Sequence, residues 1–350
     1  MSVLCVVGAR PGVGSTAVAA SLAAAWRRAG REAAADKPLA LAEGGADAGL
    51  LAVDDPGIAG ADGKVKRAVM AAAAKRVGAL EKAAGIVVVD APPHADADGR
   101  AVAASGALAK RLKAKVLGVL PYERGLGATA VAAWREAYGD ALLGFVVNRR
   151  TRYAERDAAD RLAPELEAAG APVIGVLAEE RLMLAPTVRQ VMELLGGTLF
   201  AGASGLDRLI EHFLIGGLVT EWGGNYFNRL PNQAVIARGG RADIQMSALN
   251  FPLNALVLTG CTQPPQYVAQ RAEALDVPLL TVERNTHETA EALEALAGIV
   301  TVHHREKIER FTAMVEQCVD LDALAARLAP AKARRPARRR PRAPRARKST

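Results

Sequence analysis

The chain has 350 residues, room for about two domains, and its apolar half is ample for packed cores. The formal charge of +8 is concentrated at one end: the closing stretch KARRPARRRPRAPRARKST holds ten Lys or Arg and no acid, leaving 35 bases against 37 acids elsewhere. That excludes a body that is itself a polycation, and no apolar run reaches the roughly 20 residues of a membrane span.

The start, MSVLCVVGAR, has no basic region ahead of a short apolar run, so it does not read as a signal peptide. Cys5, Cys261 and Cys318 are widely spaced and form no metal-ligand pattern, which fits a reducing, cytoplasmic compartment.

In the first half, short apolar runs alternate with alanine-rich helical stretches. Strands are predicted at 3–8, 85–90, 114–121, 142–148 and 172–177, with helices at 16–29, 66–84 and 155–169. Buried valine and leucine runs separated by helices argue for an α/β fold with a parallel sheet covered on both faces. Segment 203–219 reads as a helix breaking at paired glycines. The alternation then restarts, with strands predicted at 233–238, 255–260, 277–283 and 298–304 and helices at 241–250, 264–275 and 286–296. A last helix, REKIERFTAMVEQCVDLDALAARLA, closes the fold. The expected division is a P-loop NTPase-like domain over 1–205, a linker over 206–232, a smaller α/β domain over 233–329 and a disordered basic tail over 330–350.

The stretch GARPGVGST lies between a buried strand and a helix, where backbone N–H groups and a helix start point at an anion. Gly8 ends the strand, Gly12 and Gly14 allow tight turns, and Thr16 offers a hydroxyl to magnesium. The short phosphate-loop pattern does not fit. A pattern one residue longer does, with Ser15 where lysine belongs.

This loop resembles that of dethiobiotin synthetases and the cobyrinic acid a,c-diamide synthase group, and also the deviant P-loop partitioning ATPases. The resemblance implies a lysine-proline pair on the second strand, supplied by Lys37-Pro38, and an acid ending a later strand, supplied by Asp90 in GIVVVDAPPH. It implies Asn148 near a nucleotide base, and Thr16 with Asp90 as holders of magnesium beside ATP or another nucleotide. Arg10 and Lys37 are the candidates to replace the lost charge. Asp54 and Asp55 read as turn residues with a lesser claim on a metal.

The region from Asn232 to Leu293 resembles the DRTGG domain, found beside regulatory domains and in long phosphate acetyltransferases. The family's stretches read here as Arg241-Ala242-Asp243-Ile244-Gln245, Leu258-Thr259-Gly260-Cys261 and PLLTVERNTHET, with Gly240, Cys261 and Asn285 departing from the pattern. Arg241, Asp243, Thr259, Gly260 and Thr286 are the second-site candidates. An intradomain ion pair for Arg241 and helix capping for Thr286 are the competing structural roles.

Two functions stay open. One is a regulatory protein that senses a nucleotide or ligand with little or no catalysis. The other is an ATP-dependent enzyme activating a carboxylate or forming an amide, with Lys37 and Asp90 in catalysis. The chain ends in its tail where phosphate acetyltransferases continue into their enzyme domain, so acetyltransferase activity is not expected. Expected partners are a nucleotide, then a protein partner or a second copy of the chain. Salt-sensitive, nonspecific nucleic-acid contact by the tail is the weakest, and no membrane is expected. His94 reads as exposed, and His303 and His304 as strand neighbours pointing to opposite faces.

Overall fold

The computed structural model describes residues 2–41, 57–59, 65–217 and 223–328. Asp54, Asp55 and the basic tail lie outside these residues. Strands are β1 (Ser2–Gly8), β2 (Ala33–Asp36), β3 (Leu39–Leu41), β4 (Gly57–Ala59), β5 (Ile86–Ala91), β6 (Lys115–Pro121), β7 (Leu142–Arg150) and β8 (Val173–Ala178). They continue with β9 (Thr198–Ala201), β10 (His212–Ile215), β11 (Gln233–Arg238), β12 (Ala255–Thr259) and β13 (Leu279–Val282).

The first unit is a six-stranded parallel sheet in the order β2-β5-β1-β6-β7-β8. Its central strands are near-continuous apolar runs because helices cover both faces. One face holds Val3, Cys5, Val7, Val87, Trp134 and Phe145; the other holds Leu4, Val6, Val88, Trp26 and Leu22. The chain leaves β1 towards β2 and later crosses to β6 on the other side. β1 is therefore the switch point of the sheet, where crevices form beyond the strand ends.

The second unit is a five-stranded sheet in the order β10-β11-β12-β13-β9, parallel except for β9 at one edge. This corrects the expected boundaries. Thr198–Ala201, placed in the first domain from sequence, and His212–Ile215, read within a helix, are edge strands of the second sheet. The segment predicted as a helix over 203–219 fails because HFLI pairs with β11. The strand predicted over 298–304 does not form either. β9 already occupies the outer edge of β13, so that segment has no edge to join, and Leu296–Ile299 forms a short helix instead.

The last helices also change sides. Arg305–Cys318 and Leu321–Leu328 pack on the first sheet, where Phe311, Met314, Val315 and Leu324 join the core of Leu4, Val6 and Trp26. The fit is close at β8, where a Cβ on Gly175 would lie 2.7 Å from Val319 Cγ2 and 2.9 Å from the Cys318 carbonyl oxygen. The indole N–H of Trp26, wholly buried, donates to the Leu321 carbonyl at 3.1 Å. The second unit is thus an insertion between β8 and helix Arg305–Cys318. The chain crosses between units twice, outward after β8 and back before Arg305.

Candidate functional site

The loop after β1 is tied down by its neighbours. Ala9 donates to the Val119 carbonyl at 2.9 Å, and the Gly8 and Ala9 carbonyls accept from the His94 and Ala95 amides at 2.7 and 3.1 Å. Gly12 and Gly14 have φ of +76° and +94°, left-handed values that favour glycine. At Gly14 a side chain is doubly barred, since a Cβ would lie 2.5 Å from Asn148 Nδ2. Asn148, at the end of β7 and 4% exposed, braces the loop: its amide donates to the Val13 carbonyl at 2.9 Å and its oxygen accepts from Arg149 N at 2.9 Å. The Arg149 guanidinium donates to the Gly12 carbonyl. Asn148 therefore shapes the loop itself, a role the resemblance did not assign.

Helix Ser15–Arg28 begins at Gly14 with no side-chain cap. The first N–H groups of a helix have no acceptor inside it, so the loop presents donors and the positive end of the helix dipole. Beneath them three sequence candidates meet. The Thr16 hydroxyl donates to Asp90 Oδ2 at 2.6 Å, and Lys37 Nζ lies 3.3 Å from the same oxygen. Asp90 is 1% exposed, at the end of β5. Lys37, just past β2, keeps this buried carboxylate paired. Its neighbour Asp36, fully buried, meets Arg76 at 2.9 Å, and burial raises its pKa against the opposing pull of that arginine. Arg10 forms an exposed ion pair with Glu123. Both cations expected to replace the lysine missing at Ser15 are thus engaged with carboxylates.

Thr16 and Asp90 are an oxygen-donor pair, which fits magnesium when phosphate oxygens and water complete its shell. Among the described residues no group of three His, Cys, Asp or Glu stands ready to hold a metal unaided.

Beside the loop lies a cavity of about 460 Å³. One wall is Gly12, Gly14, Ser15 and Thr16, with Asn148 and Arg149 alongside. The opposite wall was not anticipated. It comes from the outward crossing (Glu179, Glu180, Met183 and Leu184), the return crossing (Gly298, Val300, Thr301 and Val302) and Phe311. Its lining mixes apolar side chains with the carboxylates of Glu179 and Glu180, the latter paired with Arg310 at 2.6 Å.

His94 departs from its reading as exposed. It is half-buried, stacks on Trp134 with ring centroids 4.7 Å apart, and burial lowers its pKa. Tyr138, pushed up to about 12 by burial, donates to Ser105 Oγ at 2.9 Å. These rings support the His94 backbone bond to the loop strand. His303 and His304 lie past the short helix rather than on a strand, and His304 Nε2 meets the Asp207 carbonyl at 3.0 Å.

In the second unit the candidates also converge, but on one another. The Thr259 and Thr286 hydroxyls share a hydrogen bond of 2.8 Å. Arg241 makes a two-pronged pair with Asp243, at 2.9 and 2.8 Å, and both are about half exposed. Gly260, at φ +64°, donates its amide to the Arg284 carbonyl at 2.8 Å. Helix Thr286–Leu293 is capped by Asn285, whose side chain accepts from Glu288 N at 3.0 Å while Glu288 accepts from Asn285 N at 3.0 Å. Capping thus falls to Asn285, and Thr286 is left to bond Thr259. Gln245, fully buried, donates to the Arg238 and Gly239 carbonyls at 2.8 and 3.0 Å, closing the turn before Arg241.

A P-loop-like parallel sheet joined to a second α/β unit is the class of protein these features define. Residues 190–296 match the DRTGG domain family, so the chain carries a DRTGG domain, beginning earlier than the sequence pattern suggested. The phosphate acetyltransferase of Nitratidesulfovibrio vulgaris is 29% identical over 196 residues, covering 52% of this chain and 27% of that protein. The chain therefore spans about a quarter of that relative's length. Among solved structures, the CBS and DRTGG domains of a Clostridium perfringens pyrophosphatase, complexed with the activator diadenosine tetraphosphate, align at TM-score 0.31 and 13% identity. That alignment covers 44% of this chain and 74% of that one. The MinC:MinD cell division complex of Aquifex aeolicus aligns at 0.35 and 14%, covering 53% and 84%. No helix among the described residues is long and apolar enough to cross a membrane.

Proposed function

We propose that the chain is a regulatory protein that senses a nucleotide at the loop of its first unit without turning it over at any significant rate. The carrying observation is the division of charge around Gly8–Thr16. The groups that bind phosphate and magnesium remain assembled, as the uncapped helix start, Thr16 and Asp90. The charge that stabilises phosphoryl transfer is absent at Ser15, while Lys37 is committed to Asp90 and Arg10 to Glu123. Phosphoryl transfer depends on such positioned charge, so binding can outlast catalysis. Arg149, whose guanidinium donates to the Gly12 carbonyl, also lines the cavity. Magnesium, when bound, would be held by Thr16 and Asp90 with the nucleotide's phosphates, and would neutralise phosphate charge. The DRTGG domain would be the output or second sensor.

The test is thermal unfolding of the full chain with ATP, an adenylate and a dinucleotide, each with and without magnesium. A ligand at about 100 times its Kd adds about 2.7 kcal/mol of stability. The expected result is a magnesium-dependent shift with ATP that Thr16→Ala abolishes, with no accompanying ATP turnover. No shift with any nucleotide would sink the reading. Native turnover lost on Asp90→Ala would favour the second reading, an ATP-dependent carboxylate-activating enzyme, for which the retained Lys37–Asp90 pair is the supporting observation.

A further inference from the structure

The two crossings between units meet at one side chain. Lys307, in the first turn of helix Arg305–Cys318, is 1% exposed. Its ammonium donates to the Thr301 carbonyl at 2.8 Å, on the return crossing, and to the Met183 carbonyl at 3.3 Å, on the outward crossing. One turn on, Arg310 pairs with Glu180 of the outward crossing at 2.6 Å. Met183, Glu180 and Thr301 all line the loop cavity. A buried ammonium held by main-chain carbonyls is costly to desolvate, so its position needs a reason beyond packing. The second unit is gripped on the same wall, because Gln190 donates to the Ile299 carbonyl at 3.3 Å and Arg181 to the Glu211 carbonyl at 2.8 Å.

We propose that Lys307 is the positioning residue that couples the loop cavity to the DRTGG domain, by holding both crossings together as a single wall that a bound nucleotide presses against. The inference rests on the nucleotide reading above. The phosphates sit at Gly12–Thr16, and the nucleoside reaches Met183, Thr301 and Val302. Filling the cavity stiffens both crossings at once, because Lys307 makes them one body. A ligand shifts an equilibrium only through contacts that differ between its states, and here those contacts are to the wall. Coupling is reciprocal, so a ligand of the second unit that reorders the crossings changes nucleotide affinity by the same factor.

Hydrogen exchange on the full chain tests this, with magnesium-ATP and with magnesium-tripolyphosphate, which has no nucleoside. In the wild type, ATP at about 100 times its Kd slows exchange by up to about 100-fold at 12–18 and also slows it at 180–186 and 299–304. Tripolyphosphate slows only 12–18. In Lys307→Met, which keeps the apolar stem, ATP still protects 12–18 but the crossings return to their ligand-free rates. Crossing protection that survives in folded Lys307→Met overturns the proposal, as does loop protection without crossing protection in the wild type. If Lys307→Met does not fold, the wild-type comparison decides alone, and equal crossing protection by tripolyphosphate and ATP overturns it. No protection at 12–18 by either probe overturns the nucleotide reading itself, and the coupling falls with it.

Discussion

Two helices in this chain follow a short turn at a strand end, and they begin in opposite ways. Ser15–Arg28 starts at a glycine with no side-chain cap. Thr286–Leu293 starts inside a complete capping box built by Asn285 and Glu288. Around the second helix the remaining polar groups are also spoken for: Thr259 by Thr286, Arg241 by Asp243, the Gly260 amide by the Arg284 carbonyl. The first turn keeps donors to offer, with a buried carboxylate and a cavity beside them. The two strand ends thus differ in how far side-chain bonds close the helix start, fully at Thr286 and not at Ser15.

The largest effect that would break this comparison is at Asp90. Asp90→Ala removes the carboxylate that pairs with the largely buried Lys37 ammonium, and removing one partner of such a pair costs about 3–5 kcal/mol. Urea unfolding measures it. A loss below about 1 kcal/mol, the range of exposed pairs, would mean the first site is as loosely built as the Arg241–Asp243 pair.

An intermediate effect is expected at the join. Burial pushes Lys307 down to about 8 from its ordinary 10.5. Between those values the unfolded chain binds more protons than the folded one, so Lys307 makes stability rise with pH from about 8 to 10.5. Cys5 and Tyr138, both raised to about 12, act in the opposite sense at alkaline pH. The informative quantity is therefore the difference between wild type and Lys307→Met, whose Tm gap should move in the wild type's favour as pH rises through that window. A gap that stays constant would show that Lys307 does not titrate there.

The smallest effect is at Arg241. Its pair with Asp243 is about half exposed, so Arg241→Ala should cost no more than about 1 kcal/mol in urea unfolding. The same variant sharpens the comparison by its effect on ligands. A nucleotide-induced Tm shift unchanged by Arg241→Ala places binding in the first unit, whereas loss of the shift would move it to the second.

Much of the architecture was legible because long, doubly covered strands are written as unbroken apolar runs, as in VLCVVG and GIVVVD. Edge strands carry no such signal. TLFA and HFLI are four residues each, half exposed, and identifiable only by the neighbours they pair with. GIVTVHH shows the converse, a run with strand composition and no free edge. Gly8 and Asp90 stood out as candidates because they end recognisable strands, Gly12, Gly14 and Thr16 because they follow one, and Lys37 through the family resemblance alone. The far wall of the cavity was not, since Met183 and Thr301 meet the loop only through the insertion of the second unit. Lys307 did leave a trace: it stands with Phe311, Met314 and Val315 on the buried stripe of its helix, where a lysine is out of place.

The return of helix Arg305–Cys318 to the first sheet bears on how the chain is made. Strands β1 to β8 are made before Phe311, Val315 and Leu324, which complete the core of Trp26, Leu22 and Val6. The whole DRTGG domain is synthesised in between. Domains usually fold as units, N-terminal first. Here the unit whose strands are made before the inserted domain is completed by helices made after it.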